Sequence, residues 1–384
     1  MLQPQQIGRT LRRAREAWGL TPAELAQRSA LTEVQVRGAE RSGRVPLTAL
    51  AALATALGGA LDDLLAGREF WNAMSIALKS SEASFELTLV RARVIALANA
   101  ANVERALARF LGLPPQWDKG AALGPVGLAD DPIEQAEELA TKVRRAVGAG
   151  NEPISSLRAF SARLGVGAFL TDLGTDAVDG LMWRERGAAP CIAANVAARG
   201  GASTAIRMTF AHELCHALFD RPKASAAGIL EQRTDDAVDR EQRANAFSAY
   251  LIAPRAAVLE ALARLGCSSH DLPTAQHLRS LAQYFGMGVE AMAYHLVNCR
   301  VWTREEALKR KTFSVPYASD DDREHAAPTP AEQMVALERR GRVLDLATQA
   351  LALGRISVGR WRELVGLGLH GEWRMLLTER HVEA

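Results

Sequence analysis

Residues 208–220 read MTFAHELCHALFD, an apolar stretch that holds two histidines four apart with a glutamate directly after the first. An ordinary buried helix and a metal site built to break a bond are both compatible with such a run, and the spacing separates them. On a helix, residues four apart lie on one face, one turn above the other, so the imidazoles of His212 and His216 can reach the same ion. Zinc suits two imidazoles and a carboxylate, with a fourth position left for water. Glu213, beside the first ligand, can take the proton from that water as it attacks a carbonyl. This H-E-x-x-H pattern requires a second element that brings a third ligand.

That element is found in REQRANAFSAYLIAPR, residues 240–255. Ala244, Phe247, Leu251 and Ile252 fall at helical spacing, and Pro254 helps to end the helix. Glu241 and Asn245 share a face of it: a carboxylate to bind the ion, and an amide oxygen to accept the free ring N–H of a ligating histidine and fix its tautomer. Glu231, Asp235, Asp236 and Asp239 are competing acids nearby, and the pairing with Asn245 favours Glu241.

The composition narrows the class of protein. A net charge of +2 over 384 residues does not mark a nucleic-acid binder in bulk, so any such contact must come from a local patch. Abundant alanine and only 5% aromatics favour helices. The cysteines, Cys191, Cys215, Cys267 and Cys299, stand singly with no CxxC pair, which fits a reducing cytosol. The amino terminus lacks the pattern of a signal peptide, and the most apolar run, residues 47–65, is too interrupted to cross a membrane. These features predict a soluble, cytoplasmic protein.

The local basic patch exists. In residues 1–45, arginines 9, 12, 13, 15, 28, 37, 41 and 44 face only glutamates 16, 24, 33 and 40. Ile7, Leu11, Ala14 and Trp18 form one apolar stripe, and Thr21-Pro22 and Leu31-Thr32 are helix starts. Short helix, tight turn and second short helix form a helix-turn-helix layout. The stretch LTPAELAQRSALTEVQVRGAERSGRVPLTALAALATAL resembles the lambda-repressor-like (XRE) DNA-binding family. The resemblance implies a five-helix DNA-binding domain at 1–67 with 32–41 as recognition helix. It directs Thr32, Glu33, Gln35 and Arg37 toward bases, and Arg41 and Arg44 toward phosphates. A protein-docking or dimerisation element is the alternative use of such a module.

Residues 68–112 carry helical periodicity without a chemical motif, and 112–132 is rich in Gly and Pro; together 68–130 is expected to be a helical spacer, sensor or dimerisation region ending in a linker. Residues 133–150 predict an amphipathic helix, and 156–174 a helix running into a strand. Residues 178–185 and 190–196 predict a strand pair, the second strand ending near Asn195. A second irregular boundary falls at 314–331, and the tail forms two helices around a Gly-Arg-Ile-Ser turn.

Taken together, MTFAHELCHALFD, EQRANAFSAYLIAP and the strand ending in Asn195 resemble the ImmA/IrrE zinc metallopeptidases over about residues 131–303. The family assigns His212, His216 and Glu241 to zinc and Glu213 to the general base, and its usual role is to cut a repressor, often a helix-turn-helix protein. Two departures remove none of these residues: Cys215 stands where glycine is usual, and Leu251-Ile252-Ala253-Pro254 replaces the usual LLMP. Cys215 is read as a buried small residue, with a thiolate ligand as the alternative; Asp220 is either an orienting acid for His216 or a helix-end acid. Tyr250, Tyr294 and His295 are candidates to stabilise an oxyanion.

The expected fold is mainly α, with an α+β peptidase domain at 131–303 that has a small sheet and the H-E-x-x-H helix, and a C-terminal helical segment at 304–384. The expected function is a cytoplasmic zinc metallo-endopeptidase that regulates transcription by cleaving a partner repressor in response to stress, DNA damage or a mobile element. Manganese or iron are alternatives to zinc. The alternative function is a DNA-binding regulator or antitoxin whose peptidase domain serves as sensor or dimerisation body. The expected partners are a repressor substrate, DNA through the N-terminal module and, as an open question, a second copy of the chain; no membrane is expected.

Overall fold

The computed structural model describes residues 3–59, 61–66, 75–80, 87–114, 117–184, 189–220, 230–232, 238–267, 272–310, 324, 328–367 and 373–382. The chain is mainly helical, with one small mixed sheet that organises the centre.

The first five helices are α1 (Pro4–Ala17), α2 (Pro22–Ser29), α3 (Glu33–Ser42), α4 (Leu47–Ala56) and α5 (Leu61–Leu65). Thr21 and Thr32 start α2 and α3, each in a reciprocal capping box with Glu24 and Gln35. The predicted stripe Ile7, Leu11, Ala14 and Trp18 is buried, with Leu25, Val36 and Leu53 against it. Arg15 and Glu40 close the bundle with a largely buried ion pair at 2.6 Å. Gly43 ends α3 at φ +63°, and a Cβ there would sit 1.6 Å from the Pro4 carbonyl oxygen, so no other residue fits.

Strand β1 (Ser75–Ser80) then precedes the long α6 (Leu87–Phe110) and α7 (Trp117–Leu123). Here the structure corrects two expectations. The helical reading of 68–112 is broken by β1, whose backbone groups are taken by strands about a hundred or more residues away, beyond the reach of local periodicity. The Gly- and Pro-rich 112–132 contains α7, where Leu123 is buried in the same core as the H-E-x-x-H helix.

The remaining sheet-forming unit runs α8 (Pro132–Ala146), α9 (Leu157–Arg163), β2 (Gly167–Thr171), β3 (Val178–Arg184), β4 (Cys191–Asn195), α10 (Ser203–Phe219), β5 (Leu230–Gln232) and α11 (Val238–Ile252). Strand order is β2-β4-β3-β1-β5, with β2 parallel to β4, β3 antiparallel to both β4 and β1, and β5 parallel to β1. The pleat sends alternate residues to two covered faces. Leu170, Ile192 and Ala194 join the core with α8, α10 and α11, whereas Phe169, Leu181, Trp183, Cys191 and Ala193 join a second core with α6 and the N-terminal helices. Burial on both faces explains why apolar residues dominate β2, β4 and the centre of β3.

Helices α12 (Arg255–Arg264), α13 (Ala275–Phe285), α14 (Val289–Asn298) and α15 (Arg304–Arg310) complete the body built around α10. The tail forms α16 (Arg342–Ala352), α17 (Val358–Val365) and α18 (Trp373–Glu379), packed around Trp361 and against Leu107 of α6. Asn99 and Asn102 of α6 donate to the Thr55 and Gly58 carbonyls at 2.7 and 2.8 Å, and Glu104 pairs with Arg342 at 3.0 Å. Helix α6 is thus the shared strut of N-terminal bundle, sheet and C-terminal helices. Among the described residues, no single helix is long and apolar enough to cross a membrane.

Candidate metal centre

Helix α10 is buried along almost its whole length, from Ile206 to Phe219, and lies across β3 and β4. It can do so because β3 carries Gly180 beneath it. A Cβ at Gly180 would come 2.4 Å from Thr209 Cγ2, 2.8 Å from the Ala193 carbonyl oxygen and 3.4 Å from Glu213 Cγ. The close approach places Glu213, fully buried, against the sheet. Asn195, at the end of β4, fixes the neighbouring β2–β3 connection: its amide donates to the Thr175 and Val178 carbonyls at 2.7 Å each, and its oxygen accepts from Leu173 N–H at 3.0 Å.

Helix α11 packs between α8 and α10 and delivers the third group. The two imidazole Nε2 atoms are 3.0 Å apart, and Glu241 offers one carboxylate oxygen to each, 3.1 Å from His212 and 3.3 Å from His216. Ligand atoms on one zinc ion, arranged tetrahedrally, stand about 3.3–3.4 Å from one another. Both imidazole nitrogens and the carboxylate that reaches them are therefore close enough to share one ion. Among the described residues this trio forms a group of the type that can hold a metal ion.

The outer ring nitrogens are also fixed. His212 Nδ1 lies 3.0 Å from Asn245 Oδ1, and His216 Nδ1 lies 2.6 Å from Asp220 Oδ2. If each Nδ1–H donates to its oxygen, both Nε2 lone pairs face inward, the tautomer that binds a metal. Asp220 in turn accepts a hydrogen bond from Arg243, buried on α11. Burial opposes ionisation of Asp220, but the hydrogen bond and charge of His216, assisted by Arg243, outweigh it and hold its carboxyl below the ordinary range, as an orienting acceptor requires. At Glu241 the two imidazoles also outweigh burial and hold the carboxyl low, an effect of ring N–H groups donating to it that a bound cation would replace where the Nε2 lone pairs face inward.

Other candidates fall elsewhere. Cys215 is packed in the core, and burial pushes its thiol up to about 12, so it is a small apolar residue and not a thiolate. The Tyr250 hydroxyl donates to the Asn298 carbonyl at 2.9 Å, and His295 Nε2 bonds the Ala253 carbonyl at 2.7 Å; both are committed inside the core. Tyr294 is exposed on α14. Asp235 and Asp236 lie outside the described residues, as does the side chain of Glu231, and Asp239 is exposed. Sequence reasoning misses Arg243, although an arginine directly before the apolar run ANAFSAYLIAP is a detectable signal.

In the N-terminal bundle Thr32, Glu33, Gln35, Arg37, Arg41 and Arg44 are all exposed, around the buried Val36 and Ala39. Thr32 and Gln35 are engaged in the capping box, and Arg37 pairs with Glu33 at 2.6 Å.

Residues 162–297 match the family model of the IrrE N-terminal-like domain, a peptidase family (M78). That span holds the whole His212, Glu213, His216 and Glu241 constellation. No curated protein and no solved structure matches the chain.

Proposed function

We propose that the chain is a zinc-dependent endopeptidase that regulates transcription by cutting a partner protein, a helix-turn-helix repressor. The observation that carries the reading is the His212–His216–Glu241 triangle with Glu213 buried beside it. A zinc ion held there would supply Lewis acidity and a water of lowered pKa. The chain's own groups do the rest. Asn245 and Asp220 hold the imidazoles in the binding tautomer, Arg243 keeps Asp220 ionised, and Glu213 accepts a proton and returns it to the leaving amine. Four free, buried cysteines suit a reducing cytoplasm, and manganese or iron could replace zinc at this ligand set.

The test mixes the full chain with helix-turn-helix repressors encoded beside it, with and without a chelator. Cleavage should require the metal and fall about 10²–10⁴-fold in Glu213→Gln while zinc binding persists. Cleavage undiminished in that variant removes the reading.

A second reading, a DNA-binding regulator with the peptidase body as sensor or dimer element, draws on the exposed polar face of α3 and its arginines. It expects selection of a preferred duplex from a random pool, with Arg41→Ala lowering the salt dependence of binding by about one counterion. The two readings combine if the bundle holds the peptidase near its substrate on an operator.

A further inference from the structure

The candidate metal site does not use every charged group beside it. Arg240 stands directly before Glu241 in the first turn of α11, and Arg243 follows one turn later on the same face. Asp220 feels both guanidinium charges, but its two oxygens are already occupied: Oδ2 lies 2.6 Å from His216 Nδ1, and Oδ1 accepts from Arg243. Among the described residues Arg240 makes no hydrogen bond or ion pair of its own. A planar fork of N–H donors, the shape that receives a carboxylate, is left without an acceptor.

The space beside Arg240 is a cavity of about 520 Å³ lined by Val126, Gly127, Leu128, Asp220 and Arg240. The segment 126–128 is braced on two helices. The Val126 N–H donates to the Phe219 carbonyl at the end of α10 at 3.0 Å. Gln135 of α8 donates through Nε2 to the Gly127 carbonyl at 2.7 Å, and its Oε1 accepts from the Ala129 N–H at 3.4 Å. The same segment keeps other backbone groups open: the Val126 carbonyl, the Gly127 N–H and both groups of Leu128 have no partner among the described residues. A Cβ at Gly127 would meet nothing within 4 Å, and the Leu128 side chain is exposed. Aliphatic and backbone surface with one unmatched guanidinium suits a carboxylate on a short apolar stem.

The cavity adjoins the His212, His216 and Glu241 ligand set. Asp220 both lines it and holds His216, and Arg240 is the neighbour of Glu241, about 3.8 Å away at Cα. An extended peptide advances about 3.3 Å per residue, so Arg240 reaches side chains within about three residues of a bond held at those ligands. We propose that Arg240, with Val126, Gly127 and Leu128, forms a substrate subsite that takes an acidic side chain, a glutamate or aspartate close to the bond to be cut. The inference rests on the peptidase reading above and adds to it the class of sequence that is recognised. The guanidinium takes the carboxylate, Val126 and Leu128 cover its stem, and the open groups of 127–128 pair with the peptide backbone as they would with an added strand.

The test presents the full zinc-loaded chain with a mixed library of short peptides, with free and amidated C-termini, and reads the cut sites by mass spectrometry. Cut sites should be enriched in Glu or Asp within about three residues of the bond, and kcat/KM for an acidic peptide should exceed that of its Gln counterpart about 10–100-fold. Arg240→Gln removes that preference while neutral peptides are cut at the parent's rate, and Arg240→Glu turns the preference toward Lys and Arg. A dye-labelled acidic peptide binds Glu213→Gln, and adding Arg240→Gln weakens this binding about 10–100-fold. A library left uncut by the parent removes the peptidase reading and this inference with it. Cutting without an acidic preference, a preference that survives Arg240→Gln, or a preference for the terminal carboxylate alone overturns the inference and leaves the reading standing. So does an Arg240→Gln whose zinc affinity, read by chelator competition, falls in step with its activity on every peptide, since Arg240 would then belong to the framework of the metal ligands.

Discussion

Gly180→Ala probes the contact on which α10, the H-E-x-x-H helix, rests. The glycine is not in the left-handed region, so its backbone accepts alanine without strain and the whole penalty is steric. The added methyl would sit 2.4 Å from Thr209 Cγ2, over 1 Å inside ordinary contact, and 2.8 Å from the Ala193 carbonyl oxygen. Overpacking of this kind costs about 1–3 kcal/mol. A gain of about 0.4–1 kcal/mol from the stiffer unfolded chain offsets part of it. The net loss should be near 1–2 kcal/mol, a fall of about 2–8 °C in the unfolding of the peptidase-like body.

The two clashes differ in kind. Thr209→Ser removes the methyl at 2.4 Å, whereas the carbonyl at 2.8 Å belongs to β4 and cannot be deleted. A double-mutant cycle in urea that combines Gly180→Ala with Thr209→Ser should therefore show favourable coupling of about 1 kcal/mol, with incomplete recovery. Because Glu213 Cγ would lie 3.4 Å from the new methyl, lifting α10 also shifts the carboxylate, and proteolysis should fall further than the population of folded protein. A variant within about 0.5 kcal/mol of the parent, or a cycle with no coupling, would refute the close packing of α10 on β3.

Two further outcomes follow from buried charge and buried imidazole. Asp220→Ala should weaken zinc binding about 10–100-fold in chelator competition, because His216 loses its orienting acceptor. It should also destabilise the fold more than Asp220→Asn, since asparagine keeps an acceptor oxygen for the buried Arg243 guanidinium and alanine does not. His295 is fully buried, and desolvation pushes its pKa down to about 4 from 6.5. The unfolded chain therefore binds a proton that the folded chain refuses, and stability is complete above pH 6.5 and lost as pH falls toward 4. The loss is about 3 kcal/mol, and His295→Gln should flatten the denaturation profile across that window while other groups keep their slopes.

The candidate metal site was legible because its candidate ligands obey local rules. His212 and His216 are one turn apart, and Glu241 with Asn245 repeats the same interval on a second helix, so each pair announces a shared face before any fold is known. The helices and the β3–β4 pair were legible for the same reason: capping boxes at Thr21 and Thr32, and apolar runs bounded by turns, act over a few residues. What escaped depends on distance along the chain. β1 becomes a strand because β3 supplies its hydrogen bonds, and α6 becomes a strut because its asparagines meet carbonyls 44 residues away. Asp220 could be read two ways until Arg243 was seen to hold it against His216. Glu324, 117 residues from Arg207, its ion-pair partner on α10, carried no local sign at all.

The same division has a mechanical meaning. The chemistry is written in intervals of four residues, but the position of that chemistry is set by three distant contacts on one helix: Gly180 beneath it, Arg243 at its end and Glu324 at its beginning. Helix α10 is buried on nearly every side, so a change at any of the three is taken up first by the side chains packed at that point. A substitution at Gly180 acts through the sheet that α6 and the N-terminal bundle also cover, and one at Glu324 acts through its buried ion pair with Arg207 on α10. The two contacts are separate, and variants at Gly180 and Glu324 should perturb zinc affinity independently, with additive effects within about 0.5 kcal/mol. Strong coupling between them, read by chelator competition on the double variant, would mean instead that both contacts hold α10 out of one shared alternative position, and the helix would be a switch with two seats rather than a carrier that yields separately at each.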